Sequence, residues 1–265
     1  MRRSVKRVVV GLVAGCLVLA GAGFAAANRF AAGPSVDSQP TAAPPPDCAV
    51  VACVALTFDD GPGPYTDAVL DVLEAKGVKA TFFVLGSHVD EHKGTVARAA
   101  ADGDVIGNHS WSHADLTKTG SAQTASELDR TADAVAQATG SRPTLLRPPF
   151  GAMSASVHAA AADRGLPLIL WDVDTEDWKN RDPQITTQRA LAATNGSIIL
   201  MHDIHASTLE ALPGLVDQLR ARGFTLVTVP ELLGTTTPGE KYFDRLQPKE
   251  TAPATVQPDQ STPGP

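Results

Sequence analysis

Between Val54 and Val227, short apolar runs alternate with stretches of helical periodicity, and this alternation restricts the possible fold more than any other feature of the chain. The pattern predicts strands over Val54–Phe58, Ala80–Val84, Val105–Ile106, Thr144–Leu146, Leu168–Trp171, Ile198–Met201 and Thr225–Val227. It predicts helices over Thr66–Lys76, Thr95–Asp102, Ala122–Thr139, Ser154–Asp163, Ile185–Ala193 and Leu209–Arg222. Gly77, Gly103, Gly140, Gly165 and Gly223 each fall where such a helix would end, as a left-handed cap requires. This order describes an α/β fold, a parallel sheet under covering helices, and about seven β/α units suit a barrel. Chemistry in such folds gathers at the carboxyl ends of the strands, so the residues just after each run are the ones to read.

The flanks have a different composition. Arg2, Arg3, Lys6 and Arg7 precede a nearly unbroken apolar run from Val8 to Ala27, long enough at helical rise to cross a bilayer. Residues 1–30 therefore read as a signal peptide or an N-terminal membrane anchor, with the basic flank cytoplasmic and the remainder outside. Ala25-Ala26-Ala27 offers a cleavage site, and Val13-Ala14-Gly15-Cys16 resembles a lipobox. An exported protein is expected, extracellular or attached to the outer face of the cell membrane. Residues 31–47 form a Pro-rich spacer ending in Pro44-Pro45-Pro46, and residues 235–265 read as a low-complexity tail. The globular part is then 48–234, with 43% hydrophobic residues in the whole chain to supply its core. Cys48 and Cys53 would lie on the exported side, where a disulfide between them forms and persists.

A net charge of -7 gives no pull toward phosphate backbones or anionic lipids. Nucleic acid is excluded as a partner, a neutral or basic substrate fits more easily, and a monomer is expected. Any membrane contact would be made through the N-terminal segment.

Two adjacent carboxylates follow the first predicted strand in Thr57-Phe58-Asp59-Asp60-Gly61-Pro62. They repel each other unless a cation or hydrogen-bond donors take up the charge, although a solvated Asp pair in a turn has the same signature. After the third strand, His109-Ser110-Trp111-Ser112-His113 sets two imidazoles at i and i+4, on one side of a helical turn, where both reach one ion. With a carboxylate from another strand end they suggest a two-His, one-carboxylate site with open positions.

After the fourth strand, Arg147-Pro148-Pro149-Phe150-Gly151 presents an Arg on a backbone that the prolines hold out of a helix. A guanidinium there would orient Asp59 and keep it ionised. Trp171 to Trp178 carries four carboxylates in eight residues, most of them read as solvated loop charges. Leu200-Met201-His202-Asp203 closes the sixth strand and adds a His to the same rim, which alone reads as structural. His88, His92, His158 and His205 share no motif with a ligand or carboxylate partner and are assigned to structure.

The motifs TFDDGP, HSxSH, RPPFG, DxxDW and LMHD stand in this order, each after a predicted strand. In them the chain from about Val54 to Leu233 resembles a polysaccharide deacetylase of the NodB-homology type, carbohydrate esterase family 4. The resemblance implies a distorted (β/α) barrel, with about seven parallel strands here rather than the eight of a regular barrel. It implies one divalent metal ion, Zn2+ with Co2+ as the alternative, held by Asp60, His109 and His113. Asp59 matches the general base and Arg147 the residue that orients it. His202 matches the general acid and Asp177 its carboxylate partner. Trp178 and Leu200 match groove residues, Leu200 near the acetyl methyl. Phe150 stands where many members have Tyr, and its matched role is a backbone N–H donor to the oxyanion.

The implied reaction is metal-dependent hydrolytic deacetylation of N-acetylglucosamine-type residues in a polysaccharide, peptidoglycan or chitin-like oligomers. Three other readings remain: an O-acetyl esterase acting on acetylxylan, a wall-bound carbohydrate-binding protein, and a two-His, one-carboxylate iron oxygenase. The last leaves Arg147, Asp177 and His202 without a purpose.

Overall fold

Seven consecutive buried residues make β1 (Cys53–Asp59) the central strand of the computed structural model, which describes residues 45–246. The apolar run and lipobox-like segment near the amino end, and the last part of the tail, lie outside the described residues. After β1 come α1 (Thr66–Lys76), β2 (Thr81–Val84), α2 (Gly86–Val89), α3 (Lys93–Asp102), β3 (Val105–Asn108) and α4 (Ser121–Thr139). Then follow α5 (Ala155–Ala162), β4 (Leu168–Ile169), β5 (Val173–Asp174), α6 (Asp177–Asn180), α7 (Pro183–Ala190) and β6 (Ile198–His202). The described chain ends with α8 (Ala206–Ala221), β7 (Thr225–Val227), α9 (Val229–Leu233) and β8 (Lys241–Tyr242).

Side chains on a strand alternate between faces, and β1 uses the alternation to divide its work. Val54, Leu56 and Phe58 pack outward with Leu70 and Leu73 of α1 and Leu212, Leu215 and Leu219 of α8. Each such leucine contributes roughly 1.5–3 kcal/mol by leaving water. Cys53 and Ala55 point inward against Phe83, Ile169, Ile198 and Val227. Inward residues of β1 are small or polar, Cys, Ala, Thr and Asp in turn, which leaves the interior room at its carboxyl end.

The sheet runs β3–β2–β1–β6–β5, all parallel, with β7 also paired to β1. Single-residue bridges carry it further: Asn108 at the end of β3 pairs with Leu146, and Leu146 pairs with Leu168 of β4. From β4 the chain passes through Leu170, Trp171 and Asp172 into β5, which returns to β6. The pairings thus run round a distorted barrel.

Two expected strands are altered by local chemistry. Thr144–Leu146 shrinks to the Leu146 bridge, because Pro143, Pro148 and Pro149 offer no N–H to a ladder. Leu168–Trp171 is cut to β4, and the chain bends beyond it at Asp172, whose carboxylate accepts from Ser197 Oγ and Ile198 N at 2.6 and 2.7 Å. Cys48 and Cys53 are joined by a disulfide.

The boundary at 234 falls short of the folded chain. Glu240 O and Tyr242 O accept from the N–H groups of Leu168 and Leu170 at 2.8 and 2.7 Å, and Arg245 N donates to Gly196 O at 2.9 Å. Gly239 (φ 77°) lets this segment press against α5, since a Cβ there would lie 2.9 Å from that of Ala162. Low complexity concealed the strand because main-chain groups, not apolar side chains, make most of its attachments. A chain ending at Gly234 loses these backbone bonds and that of Gly239 N to Leu166 O at 2.8 Å, each worth about 1 kcal/mol. Its thermal midpoint should fall ~8–16 °C below that of a chain ending at Leu246. Equal midpoints in calorimetry would show that the segment adds no stability.

Candidate metal centre

Strand register assembles the site. Asp59 ends β1 as the Cα partner of His202 at the end of β6, so the two side chains enter the barrel mouth side by side. Asp60 follows with φ 70°, and the chain turns through Gly61 and Pro62. Any side chain at Gly61 would collide with the buried Asp203 carboxylate, which accepts from Thr66 Oγ1, which in turn accepts from Gly63 N at 2.8 Å. This chain of contacts clamps the turn that carries both aspartates.

His109 directly follows β3, and its segment is not the helical turn that the i, i+4 spacing predicts. Ser110 and His113 both have positive φ, 67° and 59°, and a loop brings the two imidazoles to 5.1 Å between centroids. Glu127 of α4 shapes that loop: its buried carboxylate accepts from Trp111 N, Ser112 N and Ser112 Oγ at 2.8–2.9 Å. Nothing in the sequence marks Glu127, since a Glu within an amphipathic helix carries no signal that distinguishes it from a surface residue.

Asp60 Oδ1 lies 3.5 Å from His109 Nε2 and 3.3 Å from His113 Nε2, and these three groups can hold one metal ion. The fit rests on two observations. Asp60 Oδ1 is buried and receives no hydrogen bond, a costly condition for a carboxylate oxygen unless a cation meets it. His109 Nδ1 donates to Arg147 O at 2.7 Å, which fixes the tautomer and leaves the Nε2 lone pair facing Asp60. Burial lowers the His109 pKa to about 3, so the ring stays neutral as a ligand must.

Arg147 is fully buried and spends its donors inward. Nε and Nη2 donate to Ile169 O and Leu170 O at 3.0 and 2.9 Å, while Nη1 donates to Thr57 Oγ1 and Asp59 Oδ1 at 2.8 and 2.7 Å. Its guanidinium also lies 4.2 Å from the centroid of the Phe83 ring. Asp59 is thereby oriented with Oδ2 at 3.6 Å from His109 Nε2. Burial raises the pKa of Asp59 above the usual carboxylate value, and Arg147 opposes the rise.

Opposite stands His202, whose Nδ1 donates to Asp177 Oδ1 at 2.8 Å and whose Nε2 lies 3.9 Å from Asp60 Oδ2. Burial alone would lower its pKa, but Asp177 and the charges of Asp59 and Asp60 outweigh that and lift it to about 9. Asp177 Oδ2 accepts further bonds from His202 N and Thr208 Oγ1 at 2.7 and 2.6 Å. Thr208 is likewise unmarked in the sequence, lying within α8 with no motif around it.

Phe150 is 66% exposed, with its ring edge-on to His113 at 4.5 Å, and Trp178 is 48% exposed next to Asp177. Leu200 is buried on the inward-facing side of β6, between Ile198 and His202. Of the histidines assigned to structure, His205 lies with its ring 5.8 Å from that of His202. The carboxylates of the Trp171–Trp178 stretch divide: Asp172 and Asp177 bond inward, Asp174 accepts from Glu176 N, and Glu176 pairs with Arg189 and Lys179.

Residues 48–169 match the sequence model of the family described as polysaccharide deacetylase. A peptidoglycan-N-acetylglucosamine deacetylase of Listeria monocytogenes is 46% identical over 195 residues, 72% of this chain and 41% of the relative. A peptidoglycan-N-acetylmuramic acid deacetylase of Bacillus subtilis is 39% identical over 181 residues, 68% of this chain and 38% of the relative. The chain thus spans about two fifths of the length of these curated relatives. A deacetylase solved with its substrate is 48% identical, with a TM-score of 0.71 over 74% of this chain and 98% of that one.

Proposed function

The chain belongs to the polysaccharide deacetylase family, and from that premise we propose that it hydrolyses acetyl groups from N-acetylglucosamine-type residues of a polysaccharide, peptidoglycan ahead of chitin-like oligomers. The observation that carries the proposal is the convergence on one point of three kinds of group. These are a buried Asp60 oxygen lacking donors, a second carboxylate held by Arg147, and a His202 held by Asp177.

Asp60, His109 and His113 would hold a divalent ion, which we take to be Zn2+, and its Lewis acidity would be available to the attacking water and to the acetyl carbonyl. Asp59 uses its free Oδ2 to take the proton from the attacking water, while Oδ1 stays bonded to Arg147. The Phe150 amide is the donor assigned to the oxyanion. As the C–N bond breaks, His202 Nε2 passes its proton to the departing nitrogen. Asp177 stabilises the imidazolium beforehand and keeps the ring from turning. Acetate and the free amine are the products. Leu200 and Trp178 border the groove, and the aromatic face of Trp178 suits a sugar ring.

We also place the catalytic unit outside the cytoplasmic membrane, on the strength of the basic-then-apolar amino end and the Cys48–Cys53 bridge.

The test is acetate release from peptidoglycan, chitooligosaccharides and acetylxylan, measured side by side. Release from the two N-acetylated polymers is expected, with loss of activity on chelation and recovery on adding Zn2+ or Co2+. Release from acetylxylan alone would move the assignment to an O-acetyl esterase.

A further inference from the structure

Arg181 carries a positive charge that nothing nearby neutralises. It is exposed, adopts φ 54°, and is held by two uncharged acceptors: Nε donates to Trp178 O at 2.8 Å and Nη1 to His205 Nδ1 at 2.5 Å. The bond to Nδ1 requires a lone pair there, so the His205 ring is neutral.

The carboxylates close to it in sequence are all engaged elsewhere. Glu176 pairs with Arg189 and Lys179, Asp177 serves His202 and Thr208, and Asp182 caps α7 by accepting from Gln184 N and Ile185 N. Among the described residues no Asp or Glu pairs with Arg181, and its Nη2 donates to no partner. Through His205 the guanidinium is one ring away from His202, and it shares a helical turn's end with the exposed Trp178. A long cationic side chain in water ordinarily samples many rotamers; this one is fixed in advance, so ordering it on ligand binding costs little.

We infer that Arg181 is a carboxylate-recognition point on the rim of the groove, selecting an anionic N-acetylated glycan over a neutral one. This rests on the deacetylase reading above and narrows it. Peptidoglycan carries a lactyl ether on every second sugar, whose carboxylate is free where no stem peptide is attached and is otherwise replaced by the carboxylates of the peptide, whereas chitin carries none. A net charge of -7 disfavours an anionic polymer at long range, so recognition must come from a local, fixed cation such as this.

The test uses the full chain with its metal, as wild type and Arg181→Gln, on three substrates of matched length. These are peptide-free glycan strands with free lactyl carboxylates, strands bearing stem peptides, and chitooligosaccharides. The variant is expected to lose about tenfold in kcat/KM, through KM, on one or both carboxylate-bearing strands, the scale of one charge-assisted pair. On chitooligosaccharides it should stay within about twofold, as no charged pair is lost there. Whichever carboxylate-bearing strand shows the loss identifies the source of the carboxylate. Added salt should narrow the ratio of the wild-type to the variant rate on that strand, because it screens the Arg181–carboxylate pair, whereas its relief of the long-range repulsion is common to both proteins.

Equal loss on all three substrates would make Arg181 a support for His205 and overturn the inference, as would no loss on any. A wild type that releases acetate from none of them would overturn the deacetylase reading and this inference with it.

Discussion

Asp59→Asn should retain the metal and the fold and lose turnover, whereas Asp60→Ala should lose the metal itself. The two aspartates are neighbours in sequence, but the backbone turns between them, at φ 70° for Asp60, and sends them to different duties. Asn at 59 keeps an oxygen for Arg147 Nη1 and leaves Asp60, His109 and His113 in place. It cannot accept a proton from water, and loss of a general base costs about 10²- to 10⁴-fold. Because the buried guanidinium also loses its counter-charge, a lower thermal midpoint accompanies the rate loss. Ala at 60 removes the carboxylate that both imidazoles face, so neither activity nor bound metal should survive. Metal content by elemental analysis and kcat/KM on a chitooligosaccharide, taken together, separate the two. Metal loss in Asp59→Asn would show that Asp59 is a ligand as well as a base.

His202→Ala should be severe on an N-acetyl substrate and mild on an aryl acetate. An amine cannot leave as its anion, so the N-acetyl reaction needs a proton, here assigned to His202 Nε2, and about 10²- to 10⁴-fold is again the expected loss. A phenolate departs without a proton, which leaves the reaction to Asp59 and the metal. The comparison is kcat/KM for both proteins on both substrates. Equal loss on the two would assign His202 to substrate positioning, through the strand pairing that sets it beside Asp59, and remove it as the acid.

The barrel and the residues at its mouth were legible in the sequence for one physical reason. Parallel strands alternate with helices, so side chains that meet in the mouth stand directly after apolar runs, and contiguous tracts such as Asp59-Asp60 and His109 to His113 announce themselves. Residues that act through those side chains left no such trace. Glu127 reaches the histidine loop from inside α4, and Thr208 reaches Asp177 from α8, each from a helix whose pattern records only which face is buried. The same applies to β8, a strand of two residues beyond a Gly- and Thr-rich stretch, joined to β4 by main-chain bonds that sequence does not encode.

Between β3 and β4 the wall of the barrel is one residue wide, and Arg147 stands next to that residue. Leu146 N donates to Pro167 O and Ile169 N to Leu146 O, and where that short ladder stops the guanidinium reaches across and donates to the carbonyls of Ile169 and Leu170. A side chain thus acts as a rung of the sheet at its thinnest seam, and the same group aims the base. Lys at this position offers no planar fork that could serve two carbonyls, a hydroxyl and a carboxylate at once. The proposed base and the seam of the barrel therefore share one side chain at 147, so replacing it should lower the thermal midpoint together with the rate.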